Sequence, residues 1–152
     1  MNYFSNFLVK SASSLLVLVL LFSISNAQTG AVKVNPKVIE AFGNERVSSI
    51  QLNSPDSITF YNFLVENSYK VIKKEYLSSN IIYSSLEEIK VKNSWIVNGN
   101  VDFLKFNVLQ ISVKPDQTKN MYYRISGTDN VLLLKSTEYN RKKFEGYKSF
   151  QK

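Results

Sequence analysis

The side chains of this sequence that could carry out chemistry are its carboxylates, serines and lysines, because it has no histidine and no cysteine. A glycosidase needs two carboxylates facing each other at about 5–9 Å. Glu87 and Glu88 are the only adjacent acidic pair. Neighbouring residues point to opposite sides of a strand, or about 100° apart on a helix, so this pair cannot act on one bond.

Serine and lysine can form a catalytic dyad without histidine, and residues 149–152 (Ser-Phe-Gln-Lys) have the S-x-x-K spacing. They end the sequence, where fraying opposes a fixed active-site geometry, so a polar helix end is the better interpretation. A metal site would need oxygen ligands, and residues 127–130 (Gly-Thr-Asp-Asn) are more typical of a hairpin turn than of a calcium loop. We therefore predict a non-enzymatic protein with no cofactor and no metal.

The aromatic and basic residues supply candidate contacts with a partner. Tyrosine and tryptophan are common at protein interfaces, and cations attract anionic surfaces. Both sets have a plainer alternative, which is a core role for the aromatic residues and a solvated helix face for the basic ones. The predicted contact residues are Trp95, Tyr122, Tyr123, Arg141, Lys142 and Lys143.

The first 27 residues are typical of a secretory signal peptide. An apolar block at 15–22 is followed by Ser25 and Ala27, the small residues that place cleavage after Ala27. A membrane span needs about 20 apolar residues, and this block is shorter. We therefore predict no membrane span after cleavage. The alternative is an uncleaved N-terminal anchor. Residues 28–152 then form a single exported domain with 12 acidic and 18 basic residues. We expect it in the periplasm, with the extracellular space as the alternative.

Helix signals come first in this domain. Asn35-Pro36 predicts an N-cap and first helical residue, Asn44 could cap a second helix, and Ser54-Pro55-Asp56 begins a third that runs to Asn67. Ser54 is expected to accept a hydrogen bond from the first turn. The apolar stripe of this third helix is broad enough to be buried against more than one neighbour.

Strand signals follow, and a last helix ends the chain. The Asn98-Gly99 turn predicts a hairpin between 95–97 and 101–103. The other predicted strands are 69–73, 80–84, 89–92, 109–113, 121–125 and a central strand at 131–134. A helix capped by Ser136 or Thr137 then presents Phe144 and Tyr147 on its apolar face. This order predicts an α+β fold with N-terminal helices on an antiparallel sheet of about four to six strands and a C-terminal helix.

The Ser25-Asn26-Ala27-Gln28 junction and the Lys-, Asn-, Ile- and Ser-rich composition resemble small exported proteins of flavobacteria and related Bacteroidetes. Residues 53–63 (Asn-Ser-Pro-Asp-Ser-Ile-Thr-Phe-Tyr-Asn-Phe) also resemble a stretch in uncharacterised proteins of that group. The resemblance implies a periplasmic or envelope setting and assigns no site residue.

The leading hypothesis is therefore a non-enzymatic accessory component of the bacterial envelope that binds a partner, either an envelope protein or an anionic lipid surface. Nucleic acid fits the net charge of +7 but not the export signal. Two alternatives are a module that binds a small ligand or lipid, and a hydrolase that works without histidine and cysteine.

Overall fold

Residues 32–149 are the part of the chain that this computed structural model describes, and they contain four helices and six short strands. The helices are α1 (Pro36–Phe42), α2 (Asn44–Asn53), α3 (Pro55–Asn67) and α4 (Thr137–Ser149). The strands are β1 (Tyr69–Lys73), β2 (Glu87–Ile89), β3 (Ile96–Val97), β4 (Asn100–Val101), β5 (Met121–Ile125) and β6 (Asn130–Leu134). The predicted signal peptide lies outside the described residues, as does most of the S-x-x-K segment.

The α+β prediction is confirmed. The main sheet has the order β1-β6-β5-β2, and β3 pairs with β4 in a separate hairpin. β6 is a central strand, as its continuous apolar run predicted. It pairs antiparallel with both β1 and β5. β2 runs parallel to β5, so the four-stranded sheet is mixed and not fully antiparallel as predicted.

The helix starts follow the predicted residues, with two corrections. The Asn35 side chain accepts a hydrogen bond from the Lys37 amide at 3.0 Å, as expected of an N-cap. Asn44 is the first residue of α2 and not its cap, because Gly43 takes the cap position with a φ of 80°. The Ser54 hydroxyl makes no capping bond. Its main chain instead links two helices, donating to the Ile50 carbonyl at 2.7 Å and accepting from the Ser57 amide at 2.9 Å.

Three strand predictions were wrong or displaced. A 3-10 turn at Tyr83–Ser85 replaces the strand predicted at 80–84, and another at Val108–Gln110 begins where 109–113 was expected to be a strand. β2 ends at Ile89, where a strand had been predicted to start. In the segment after residue 107 the apolar side chains pack against the two core clusters without pairing in a sheet. Burial of an irregular segment thus gives the same apolar alternation as a strand.

The predicted hairpin is confirmed with shorter strands. Ile96 pairs with Val101 and Val97 with Asn100. The two turn residues, Asn98 and Gly99, have φ values of 49° and 72°. Two consecutive positive φ values define the tight turn that matches the twist of a hairpin.

We expect Gly99→Ala to lower the free energy of unfolding by about 1–2 kcal/mol, because a β-carbon is strained at this positive φ. Gly146→Ala in α4 is the matched control. It should raise the free energy by about 0.5–1 kcal/mol, since alanine favours a helix and its β-carbon would have no atom within 4 Å. Urea unfolding of both variants measures the two effects, and equal changes would contradict the turn assignment.

Two clusters of buried side chains form the core. The first lies on one face of the main sheet and consists of Ile89, Trp95, Val101, Phe106, Tyr123, Ile125, Leu132 and Leu134. The second lies among the helices and consists of Val38, Val47, Ile58 and Val65. The broad apolar stripe predicted for α3 is buried against several neighbours. Phe63 lies 5.5 Å from Phe144 and 5.4 Å from Tyr147, measured between ring centroids, so α4 packs on α3 through the predicted face.

The cations of α4 differ in their surroundings. Lys148 forms an ion pair with Asp56 at 2.6 Å that links α4 to the start of α3. This hydrogen bond raises the pKa of Lys148 above its ordinary value. None of the helices in residues 32–149 has the length and apolar character needed to cross a membrane.

Candidate functional site

The structure separates the predicted contact residues into buried and exposed groups. Trp95 is 3% exposed and Tyr123 is 5% exposed, and both belong to the sheet cluster of the core. Tyr123 takes the inward position because residues of a strand alternate between the two faces. Burial also raises the pKa of the Tyr123 phenol. These two aromatic residues therefore pack in the core, and a partner would reach them only if the core opened.

The other predicted residues are partly or fully exposed. Tyr122 lies on the opposite face of β5 from Tyr123 and is partly exposed, because neighbouring residues of a strand point to opposite faces. Arg141, Lys142 and Lys143 are exposed on α4. Lys142 pairs with Glu138 at 2.8 Å.

The outer edge of β1 is a candidate binding feature of the described residues. The Lys74 amide donates to Asp129 at 2.8 Å, and the Lys135 amide donates to Ser68 at 2.9 Å. Because main-chain groups alternate in direction along a strand, the even-numbered residues of β1 bond to β6. The N–H and C=O groups of Tyr69, Val71 and Lys73 therefore point away from the sheet. Within residues 32–149 no other strand pairs with this side of β1.

An open groove of about 490 Å³ runs along this edge. Its lining residues are Glu66, Tyr69, Lys70, Val71, Ile72, Lys73, Tyr76 and Phe103. Tyr76 is 73% exposed and Phe103 is 60% exposed, which is unusual for such large apolar side chains. An apolar wall beside a row of unsatisfied main-chain groups is the arrangement by which a sheet accepts an added strand. We call these residues the β1 groove.

The wall of the β1 groove has a fixed backbone. The Lys37 ammonium donates to the carbonyl oxygens of Phe103 at 2.9 Å and Phe106 at 2.7 Å. Burial lowers the pKa of Lys37, and the nearby Glu40 and Asp102 carboxylates oppose that effect. Tyr76 ends a 3-10 turn closed by a hydrogen bond from the Leu77 amide to Lys74 at 3.2 Å. The exposed rings are thus carried on ordered turns.

Both acidic and basic side chains surround the β1 groove, and the lysines outnumber the acidic residues. Lys70 and Lys73 are exposed on β1, and Lys74 follows directly. Glu66 lies at the other end of the groove. Lys73 pairs with Glu75 at 3.9 Å, but both side chains are more than half exposed, so this pair contributes little to stability. The lysines remain available to an anionic partner.

The chain matches no protein-family model, no curated protein and no solved structure. The groups assembled at the β1 groove are main-chain donors and acceptors, two exposed aromatic rings and two lysines. Among residues 32–149, acidic side chains do not cluster in a way that could hold a metal ion. Glu88 of the adjacent acidic pair instead contacts Arg124 at 3.6 Å.

Sequence reasoning did not identify Tyr76 as a site residue. Tyr76 is a single aromatic ring in a 3-10 turn, and such a ring carries no periodic signal. The strand signal of residues 69–73 was clear, but its position at the edge of the sheet depends on pairing between distant segments. The only available hint was the pair of lysines at 70 and 73, because lysine is common on edge strands.

Proposed function

We propose that this protein is an exported, non-enzymatic binding protein of the bacterial envelope that captures an extended, acidic segment of a partner protein as an added strand on β1. The free β1 edge between two exposed aromatic rings is the observation that carries the proposal. Export and a periplasmic location rest on the signal-peptide pattern of residues 1–27. The proposed partner contacts are now the residues of the β1 groove, in place of the buried Trp95 and Tyr123.

Strand addition divides recognition between main chain and side chains. Tyr69, Val71 and Lys73 each offer one donor and one acceptor to a partner strand, whatever the partner's sequence. Side chains of the added strand that lie on the groove side would contact Tyr76 and Phe103. Such a segment would alternate between apolar and polar residues, because its side chains alternate between the two faces.

A partner with acidic residues is favoured over a second copy of this chain. Pairing of β1 with its own copy would bring lysines of two basic chains together, and like charges on facing strands are destabilising. Lysine on an edge strand commonly protects against such self-association. The same lysines attract carboxylates, so the proposal commits to an acidic, extended segment of a different protein.

A main-chain substitution at Lys73 tests this mode of binding. Lys73 has a φ of −68°, which proline adopts without strain. Lys73→Pro removes an outward N–H, whereas the control Lys73→Ala removes the same charge and retains the N–H. With a fluorescein-labelled octapeptide of alternating valine and glutamate as the probe, anisotropy should show Lys73→Pro binding about three- to tenfold more weakly than Lys73→Ala.

The aromatic wall is tested with the same peptide. Phe103→Ala should weaken binding about five- to thirtyfold, as expected of an aromatic anchor. Leu52→Ala is the control, because Leu52 is 85% exposed on α2 and is not part of the β1 groove. Equal affinities for Lys73→Pro and Lys73→Ala, together with an unchanged affinity for Phe103→Ala, would refute strand addition at β1.

A further inference from the structure

Phe103, the aromatic anchor of the β1 groove, is bonded to a residue that lies outside the groove. The Lys37 ammonium donates to the Phe103 carbonyl oxygen at 2.9 Å and to the Phe106 carbonyl oxygen at 2.7 Å. Lys37 lies in α1, 66 residues earlier in the sequence, and does not line the β1 groove. Within residues 32–149, the bond from Lys37 is the hydrogen bond that holds the main chain of Phe103.

Lys37 is itself fixed through both of its main-chain groups. Its amide donates to Asn35 Oδ1 at 3.0 Å, and its carbonyl accepts from Asn107 Nδ2 at 2.7 Å. Asn107 is fully buried, so this second bond is shielded from water. The nearby Glu40 and Asp102 carboxylates favour the charged form of the ammonium. The Lys37 side chain therefore extends towards the turn of Phe103 from a fixed position in α1.

The Phe103 ring has less packing to hold it than its neighbour. It is 60% exposed, whereas Phe106 is fully buried against the rings of Tyr69 and Trp95. The direction of an exposed ring depends mainly on its backbone, because few side chains surround it. A donor on the Phe103 carbonyl therefore restricts where this ring can lie before a partner binds. A ring that is already in place loses less conformational freedom on binding.

We propose that Lys37 is a positioning residue of the β1 groove, whose ammonium holds the backbone of Phe103 so that the ring meets the added strand. This role rests on the strand addition proposed above. Lys37 itself would not touch the partner, and its effect on binding would pass through Phe103 alone. Removal of the Lys37 ammonium therefore weakens binding by no more than removal of the Phe103 ring does. Binding sites commonly depend on such supporting residues for their geometry.

A double-mutant cycle separates this role from a general effect of charge or stability. Lys37→Met keeps the aliphatic stem and removes the donors, and it should weaken binding of the valine–glutamate peptide about three- to tenfold. In a Phe103→Ala background the same substitution should change the affinity by less than about twofold. Lys33→Met is the control for charge, because Lys33 is exposed and does not line the β1 groove.

A reporter on the ring tests the role of Lys37 without any peptide. With para-fluorophenylalanine at position 103, the fluorine NMR signal should move towards that of the free amino acid in Lys37→Met and stay in place in Lys33→Met.

The proposal is overturned by an unchanged fluorine signal in Lys37→Met, or by an equal loss of peptide affinity with and without the Phe103 ring. If the unmodified protein does not bind the peptide, strand addition fails, and the fluorine signal still decides whether Lys37 positions Phe103. If Lys37→Met fails to fold, Lys37→Gln replaces it in both measurements, because glutamine is too short to reach both carbonyl oxygens.

Discussion

Phe106→Ala should lower the free energy of unfolding by about 3–5 kcal/mol. Phe106 is fully buried, and its ring centroid lies 5.2 Å from that of Tyr69 and 5.4 Å from that of Trp95. Removal of the ring would leave a cavity between β1 and the hairpin that these rigid aromatic neighbours cannot fill. Urea unfolding followed by circular dichroism measures the loss.

Phe103→Ala is the matched control, because it is the same substitution three residues earlier at a side chain that is 60% exposed. It should change the free energy of unfolding by no more than about 0.5 kcal/mol. Phe103 and Phe106 would then have separable roles, one in binding and the other in stability. A loss of equal size in both variants would contradict the assignment of Phe103 to an accessible surface.

Asn107→Leu should lower the free energy of unfolding by about 2–4 kcal/mol, although the two side chains have the same branching and the same number of non-hydrogen atoms. Asn107 is fully buried, and its Nδ2 donates to the Lys37 carbonyl of α1 at 2.7 Å. Its Oδ1 accepts from the Leu109 amide at 3.1 Å. Leucine can make neither bond, so the segment that follows would keep only the hydrogen bond from Gln110 to the Glu40 carbonyl as its link to α1, and the Leu109 amide would lose its partner.

The control for Asn107→Leu is Asn93→Leu, since Asn93 is exposed in a similar 3-10 turn. Its free energy of unfolding should change by no more than about 0.5 kcal/mol. Thermal unfolding of both variants gives the comparison. If Asn107→Leu were as stable as the unmodified protein, the amide bonds of Asn107 would not be what positions residues 107–110.

Much of the fold could be predicted from local patterns. β1 and β5 have the predicted bounds, and β6 begins one residue before its predicted start. The hairpin at Asn98-Gly99 and the starts of α1 and α3 were also correct. Turn dipeptides, proline after a capping residue and continuous apolar runs act within a few residues, so the sequence contains the whole signal.

The buried asparagines had no such signal. Asn62 joins α3 to the segment before α1, with Nδ2 donating to the Lys33 carbonyl at 2.7 Å. Asn130 joins β6 to the hairpin, with Oδ1 accepting from the Val101 amide at 2.9 Å. Asparagine is usually an exposed or turn residue, so its type alone does not predict burial. Each of these two asparagines holds segments together through a hydrogen-bond partner that lies 29 residues away in the sequence.

The sequence by itself determined the helices, the hairpin and the strands β1, β5 and β6, the excess of basic residues, and the absence of histidine and cysteine from any site. The tertiary structure alone decided that Trp95 and Tyr123 are buried, that β1 is an edge strand, and that the Lys37 ammonium reaches the turn of Phe103. Secondary structure depends on neighbouring residues, whereas burial, edge position and such a contact depend on packing between segments far apart in the chain. A linear pattern carries little information about such packing, because the same apolar residue serves equally well in a core, a groove or a turn.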